Sequence, residues 1–134
     1  MRISTKGRYA LNIMIDLAKN SDDNKCVSIT EISKRLEISN KYLEQIISAL
    51  NKNNLVISTR GNNGGYKLSR KPEEYRIGDI LRATEGNLSP IDCLSTGKVN
   101  VCPKKNKCAT LSFWQGLDKV IEEYVDSKTL ADLI

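Results

Sequence analysis

The segment from Ser28 to Arg70 constrains the fold most, because two short helical patterns run directly into a glycine-rich hairpin signal. Ser28 can cap the free amides of a helix while Glu31, three residues on, reaches back in a capping box. A second helix, over 39–52, opens at Ser39. Along it Tyr42, Leu43, Ile46, Ile47 and Leu50 recur at three- and four-residue spacing. One face is therefore apolar, and the other offers Asn40, Lys41, Glu44, Gln45 and Ser48. Next, Leu55, Val56 and Ile57 suit a strand, Arg60-Gly61-Asn62-Asn63-Gly64-Gly65 suits a turn needing positive φ, and Tyr66-Lys67-Leu68 suits the return strand. Two helices and a basic hairpin outline a winged helix-turn-helix. A polar helix face alone usually meets only solvent, but a helix followed at once by a basic wing is hard to explain as scaffold.

The flanking segments predict a mainly α fold with a small β-hairpin wing. Residues 2–19 read as a first amphipathic helix, with Tyr9, Ala10, Ile13, Met14, Leu17 and Ala18 facing inward. Pro72 closes the wing, and Tyr75 to Glu85 reads as another short helix stopped by Gly86. A loop over 87–107 holds Pro90, Gly97 and Pro103. A long helix should begin near Ala109, with Leu111, Trp114, Leu117, Ile121 and Tyr124 or Val125 on one stripe. So small a domain has little core left for that stripe to cover, which favours burial against a second subunit. Residues 129–134 should form a short terminal helix. The expected division is a DNA-binding winged unit over 1–72, then a cysteine loop (about 87–108) and a dimerisation helix (about 109–126) over 73–134, packed as one compact unit.

Charge supports that division. Residues 1–72 carry 13 Lys and Arg against 6 Asp and Glu, whereas 73–134 carry 8 against 10, so the positive excess lies in the first part. If 39–52 is a recognition helix, Asn40, Lys41, Glu44 and Gln45 would reach base edges in the major groove, with Ser39 and Tyr42 beside them. Gln45 suits adenine, Lys41 suits guanine or a phosphate, and Glu44 suits a cytosine amino group. A carboxylate beside DNA is repelled by phosphate, so Glu44 would discriminate among sites more than add affinity. Arg60 suits a narrow minor groove, and Gly61, Gly64 and Gly65 would let the backbone approach the sugar-phosphate. Arg2, Ser4, Lys6 and Arg8 are candidate phosphate contacts, with a solvated helix start as the plain alternative. A dimer would present its recognition helices roughly 34 Å apart to double-stranded DNA, to an imperfect palindrome.

Other classes find little support. There is no histidine, nucleophile motif, phosphate-binding loop or C-x-x-C pair, so no catalytic site assembles. No apolar run is long enough for a bilayer, and the charged start lacks a cleavable signal pattern, so no membrane association and a cytoplasmic location are expected. In a reducing compartment the four cysteines are thiols or metal ligands more naturally than disulfides. Cys93, Cys102 and Cys108 lie in one loop as C-x8-C-x5-C, flanked by Lys98, Lys104, Lys105 and Lys107, which would lower thiol pKa values. Thiolates hold iron–sulfur clusters and zinc alike. Cys26 stands apart as an ordinary small apolar residue.

Several motifs in this order have a known counterpart. Met1-Arg2-Ile3-Ser4-Thr5-Lys6-Gly7-Arg8-Tyr9-Ala10, Tyr42-Leu43-Glu44-Gln45, Arg60-Gly61 to Gly64-Gly65-Tyr66 and the C-terminal cysteines together resemble the Rrf2 family of bacterial transcriptional regulators. The resemblance covers nearly the whole chain and is nearest to the family's iron–sulfur regulators; cysteine-metabolism regulators are close relatives lacking the cluster cysteines. It implies dimerisation through the long C-terminal helix, an iron–sulfur cluster on Cys93, Cys102 and Cys108 ([2Fe–2S] ahead of [4Fe–4S]), a part for Glu44 in choosing between two classes of site, and control of cluster-assembly genes. The chain departs from that pattern at the fourth ligand. Leu111 stands where the family's best-known members place a histidine, and Arg8 where others place an acid. Asp92, Cys26, a residue of the partner subunit, or an external thiol or water remain as candidates. A structural zinc site, or a repressor governed by a partner protein or thiol oxidation, are the alternatives.

Overall fold

The computed structural model describes residues 2–94 and 107–134. Helix α1 (Thr5–Asn20) begins three residues later than the sequence pattern suggests, because Ser4 is extended and its Oγ accepts the Gly7 N–H at 3.1 Å. Arg2 thus precedes the helix. Ala10, Ile13, Met14 and Leu17 are buried as expected, whereas Tyr9 and Ala18 are only half-buried. α2 (Ile29–Leu36) opens on the expected capping box: Ser28 N–H donates to Glu31 Oε2 at 2.9 Å and Glu31 N–H to Ser28 Oγ at 3.2 Å. The Ser28 N–H also holds the Glu31 carboxyl below its ordinary pKa.

The turn between α2 and α3 (Asn40–Lys52) is tight. Glu37 adopts the left-handed conformation at φ 56°, and Ser33 Oγ donates to the Ile38 carbonyl at 2.6 Å. Ser39 caps α3 by accepting the Tyr42 N–H at 3.2 Å. Beneath the turn, the buried Asp16 carboxylate of α1 receives two bonds from Arg35 of α2, at 2.7 and 2.9 Å. Removing Arg35 would strand the buried carboxylate, whereas Arg35 itself is exposed to water.

Strands β1 (Val56–Thr59) and β2 (Gly65–Leu68) pair antiparallel, with Val56 opposite Leu68 and Thr59 opposite Gly65. β2 has a second neighbour that periodicity does not reveal. Val27 and Tyr66 exchange both backbone hydrogen bonds, each at 2.8 Å, which ties the wing to the start of α2. At the wing's base the side chain of Tyr75 is fully buried. Its hydroxyl accepts the N–H groups of Ser69 and Arg70 and donates to the Leu55 carbonyl at 2.7 Å. Tyr75 is therefore extended and not helical, and α4 (Ile77–Glu85) starts two residues after the expected position. Gly86, at φ 84°, ends it as the sequence suggests.

α1, α3 and α4 enclose one core in which Leu43, Ile46, Ile47 and Leu50 of α3 meet Ile13, Met14 and Leu17 of α1 and Ile80 of α4. Helix α5 (Leu111–Ser127) lies against α4. Arg82 of α4 binds Asp126 at 2.9 and 3.0 Å and also Glu122, and this guanidinium holds the Asp126 carboxyl below its ordinary range. The Asp126 carboxylate occupies the space that a side chain at Gly78 would take. After α5 the chain returns to the core: Leu130 is fully buried, its N–H donates to the Tyr75 carbonyl, and residues Leu130–Leu133 form a 3-10 turn.

Candidate nucleic-acid interface and cysteine loop

The apolar seat of α3 fixes what its outer face presents. Leu43, Ile46, Ile47 and Leu50 are buried, and Asn40, Lys41, Glu44, Gln45 and Ser48 are exposed. Two residues grouped with them by sequence have internal duties. Ser39 spends its hydroxyl on the helix cap, and Tyr42 is half-buried with its ring edge-on to Tyr9, centroids 5.9 Å apart.

The basic residues of this half divide by what they touch. Arg35 is bound to Asp16, Lys67 Nζ donates to the Asp23 carbonyl at 3.1 Å, and Arg70 lies 4.8 Å above the Tyr75 ring. Lys41 and Arg60 are exposed and form no ion pair among the described residues. Unpaired cations therefore remain on α3 and at the wing tip, where a phosphate or base contact would use them. The wing glycines divide similarly. Gly61, at φ 110°, has open space where a side chain would project, so its backbone is accessible. A side chain at Gly64 would strike the Thr59 carbonyl, and one at Gly65, at φ 148°, would strike Val27. Their smallness serves the hairpin itself.

At the chain start, Arg2 and Arg8 are exposed and Lys6 is half-buried. Ser4 is engaged: its N–H donates to Glu85 Oε1 at 3.1 Å and its hydroxyl bonds the same oxygen, which lies over the buried Gly7. The end of α4 is thereby fastened to the first turn of α1. Glu85 also leads, through Gly86, into the cysteine segment.

Cys93, in a 3-10 turn over Asp92–Leu94, and Cys108, just before α5, are both exposed thiols. Cys102, Lys98, Lys104 and Lys105 lie outside the described residues. Among those described, no three His, Cys, Asp or Glu side chains converge as a metal site. The donor chemistry nonetheless fits a thiophilic group. The Cys108 thiol is held below its ordinary pKa, first by the Thr110 hydroxyl 3.5 Å away and then by the Thr110 and Leu111 backbone N–H groups. Of the fourth-ligand candidates, Asp92 is exposed in the same turn as Cys93. Cys26 is half-buried and lines a cleft with Asn62 and Asn63 of the wing, which no α5 residue lines. Leu111 is the first residue of α5, and Arg8 is exposed on α1.

The α5 stripe is split in two. Ile121 and Val125 pack on the chain's own core, whereas Phe113, Val120 and Tyr124 are 64%, 61% and 65% exposed. Val125, not Tyr124, is the inward residue. Phe113 and Val120 are an outward face that the sequence reading missed, although their spacing with Leu117 and Tyr124 was there to be read. Val120 and Tyr124 also border a cavity of about 300 Å³ lined by Ile3, Leu81 and Leu88. No helix among the described residues is long and apolar enough to cross a membrane.

Comparison with known proteins agrees with this architecture. Residues 3–134 match the profile of Rrf2, described as an iron-dependent transcriptional regulator. The chain is 38% identical over all 134 residues to the HTH-type transcriptional regulator IscR of Yersinia pseudotuberculosis, spanning 79% of that relative. Among solved structures it is similar to CymR, the global cysteine regulator of B. subtilis, with a TM-score of 0.78 at 38% identity over 99% of this chain and 95% of that one. It is likewise similar to T. potens IscR, with a TM-score of 0.73 at 38% identity over 99% of this chain and 85% of the other. These relatives are regulators and not enzymes. A winged helix-turn-helix on this frame, matched along its full length, makes the chain a member of the Rrf2 family of DNA-binding transcriptional regulators.

Proposed function

We propose that this regulator is a homodimer whose operator binding is governed by an iron–sulfur cluster held by Cys93, Cys102 and Cys108, with genes of cluster assembly as its targets. The observation that carries the reading is the pair of exposed cysteines on either side of the loop, one of them with the Thr110 hydroxyl 3.5 Å from its sulfur. When bound, the cluster supplies a centre that oxygen, nitric oxide or iron shortage can remove. The chain's residues supply the rest. Asn40, Lys41, Glu44 and Gln45 read the major groove, Arg60 enters the minor groove beside Gly61, and Arg2 contacts phosphate. Gly64 and Gly65 shape the hairpin that carries Arg60, while Ser39 and Tyr42 set the start of α3. The outward face of α5, with Phe113, Val120 and Tyr124, meets its counterpart in the second subunit.

The test is the visible spectrum of anaerobically purified protein, with iron and acid-labile sulfide measured on the same sample. Matched iron and sulfide that vanish in Cys93→Ala, Cys102→Ala or Cys108→Ala while the protein stays folded are expected. Absence of both, even after reconstitution, overturns the cluster. Equal operator selectivity with and without the cluster overturns the switch. Replacing Glu44 by Ala should broaden operator choice with little loss of affinity. The structural likeness to CymR favours one second reading, a cysteine-metabolism repressor governed by a partner protein or thiol oxidation. That reading predicts DNA binding indifferent to iron.

A further inference from the structure

Cys108 is not an isolated thiol. The indole Nε1 of Trp114 donates to Thr110 Oγ1 at 3.1 Å, and that oxygen lies 3.5 Å from Cys108 Sγ. An indole N–H only donates, so the threonine oxygen is the acceptor in the first contact, and its own hydrogen is available to a deprotonated or metal-bound sulfur, which can only accept. Thr110 also occupies the N-cap position of α5, where a threonine hydroxyl ordinarily accepts a backbone N–H of the first turn. Here it makes no such bond. Its oxygen accepts from the indole instead of a helix amide, and the hydroxyl is held beside the cysteine. Trp114 stands one turn along α5 from Thr110, and its ring is braced edge-on by Phe113, centroids 5.0 Å apart.

We propose that Thr110 and Trp114 are positioning residues for Cys108, forming a donor chain from Trp114 Nε1 through Thr110 Oγ1 to Cys108 Sγ that aims the sulfur and draws charge from it. The chain itself is independent of what Cys108 binds; its effect on a metal group rests on the cluster reading above. A hydrogen bond to a ligating sulfur favours the more negative, reduced state of an iron–sulfur cluster and so raises its reduction potential. Removing the hydroxyl lowers that potential without removing a ligand.

Because Trp114 is the only tryptophan, the indole N–H gives one resonance in ¹⁵N-labelled full-length protein. In the metal-free protein, Thr110→Val should shift that resonance and speed its exchange with solvent, Thr110→Ser should restore both, and Cys108→Ala should shift it through the hydroxyl. An indole signal unchanged by Thr110→Val overturns the chain. In the loaded protein, Thr110→Val should keep full iron and sulfide while lowering the reduction potential, and Thr110→Ser should recover it. Equal potentials at equal loading overturn the tuning. A wild-type protein that takes up neither iron nor sulfide on reconstitution, yet whose indole signal responds to Thr110→Val, overturns the cluster reading and upholds the chain.

Discussion

α3 and α5 are both amphipathic, yet they use their apolar faces differently. α3 buries Leu43, Ile46, Ile47 and Leu50 within its own chain, and what remains outside is polar. α5 is longer and buries no residue fully; Phe113, Val120 and Tyr124 stay outside. A helix whose apolar face is used up is free to offer polar chemistry to DNA. One whose face is half used carries information about a second body.

The sharpest way to break this contrast is the double variant Val120→Asp/Tyr124→Asp. It should convert a dimer to monomers in sedimentation velocity while preserving the helical circular dichroism signal. Operator affinity should fall about 100-fold or more, because the two half-sites are then bound independently. A wild-type protein already monomeric at micromolar concentration would remove the contrast altogether.

Tyr75→Phe tests the completed side of the molecule. It leaves two amides and one carbonyl at the wing base without their partner, and should lower unfolding stability by about 2–4 kcal/mol in denaturant titration. No change would mean that water replaces the hydroxyl.

A smaller effect should appear where α5 joins α4. Arg82 lowers the Asp126 pKa in the folded state, so the associated stability is present above the ordinary carboxylate value of 3.8 and is lost as pH falls through the lower folded value. The difference in melting temperature between wild type and Asp126→Asn should therefore be constant from neutral pH down to about 3.8 and shrink as pH falls from there through the lower folded value. A difference that persists undiminished in stronger acid would assign the loss to packing alone. Smallest of all, Glu37→Gly should raise stability by about 0.5–1 kcal/mol by relieving the left-handed residue between α2 and α3, measured in the same titration.

Legibility in the sequence followed the range of the forces involved. The caps at Ser28 and Ser39, the apolar row of α3, and the stop at Gly86 are local and were readable residue by residue. Val27 was not, because a single residue pairing across the wing leaves no periodic trace. Tyr75 read as part of a helix because nothing in its neighbours announces that its hydroxyl joins Leu55, Ser69 and Arg70. On α5, two stripes that differ by one residue are separated by only about 100° around the helix, and periodicity cannot say which meets the core. That Arg60 and Lys41 stay unpaired, while Arg35, Lys67 and Arg70 are engaged, depends on contacts between elements and so became visible only in the fold.

The attachment of α5 has a mechanical consequence. Arg82 grips Glu122 and Asp126, and Leu130 is sewn to Tyr75, so the far end of the helix is clamped, while Phe113 and Trp114 stand at the other end. Seventeen residues make a beam about 25 Å long. A pivot of about 10° at the clamp sweeps the cysteine end through roughly 4 Å, close to the rise of one base pair. Conversely, a shift of about 4 Å at the cysteine end turns the clamped end by only about 10°, so the grip of Arg82 on Glu122 and Asp126 sets how much of such a motion would reach α4.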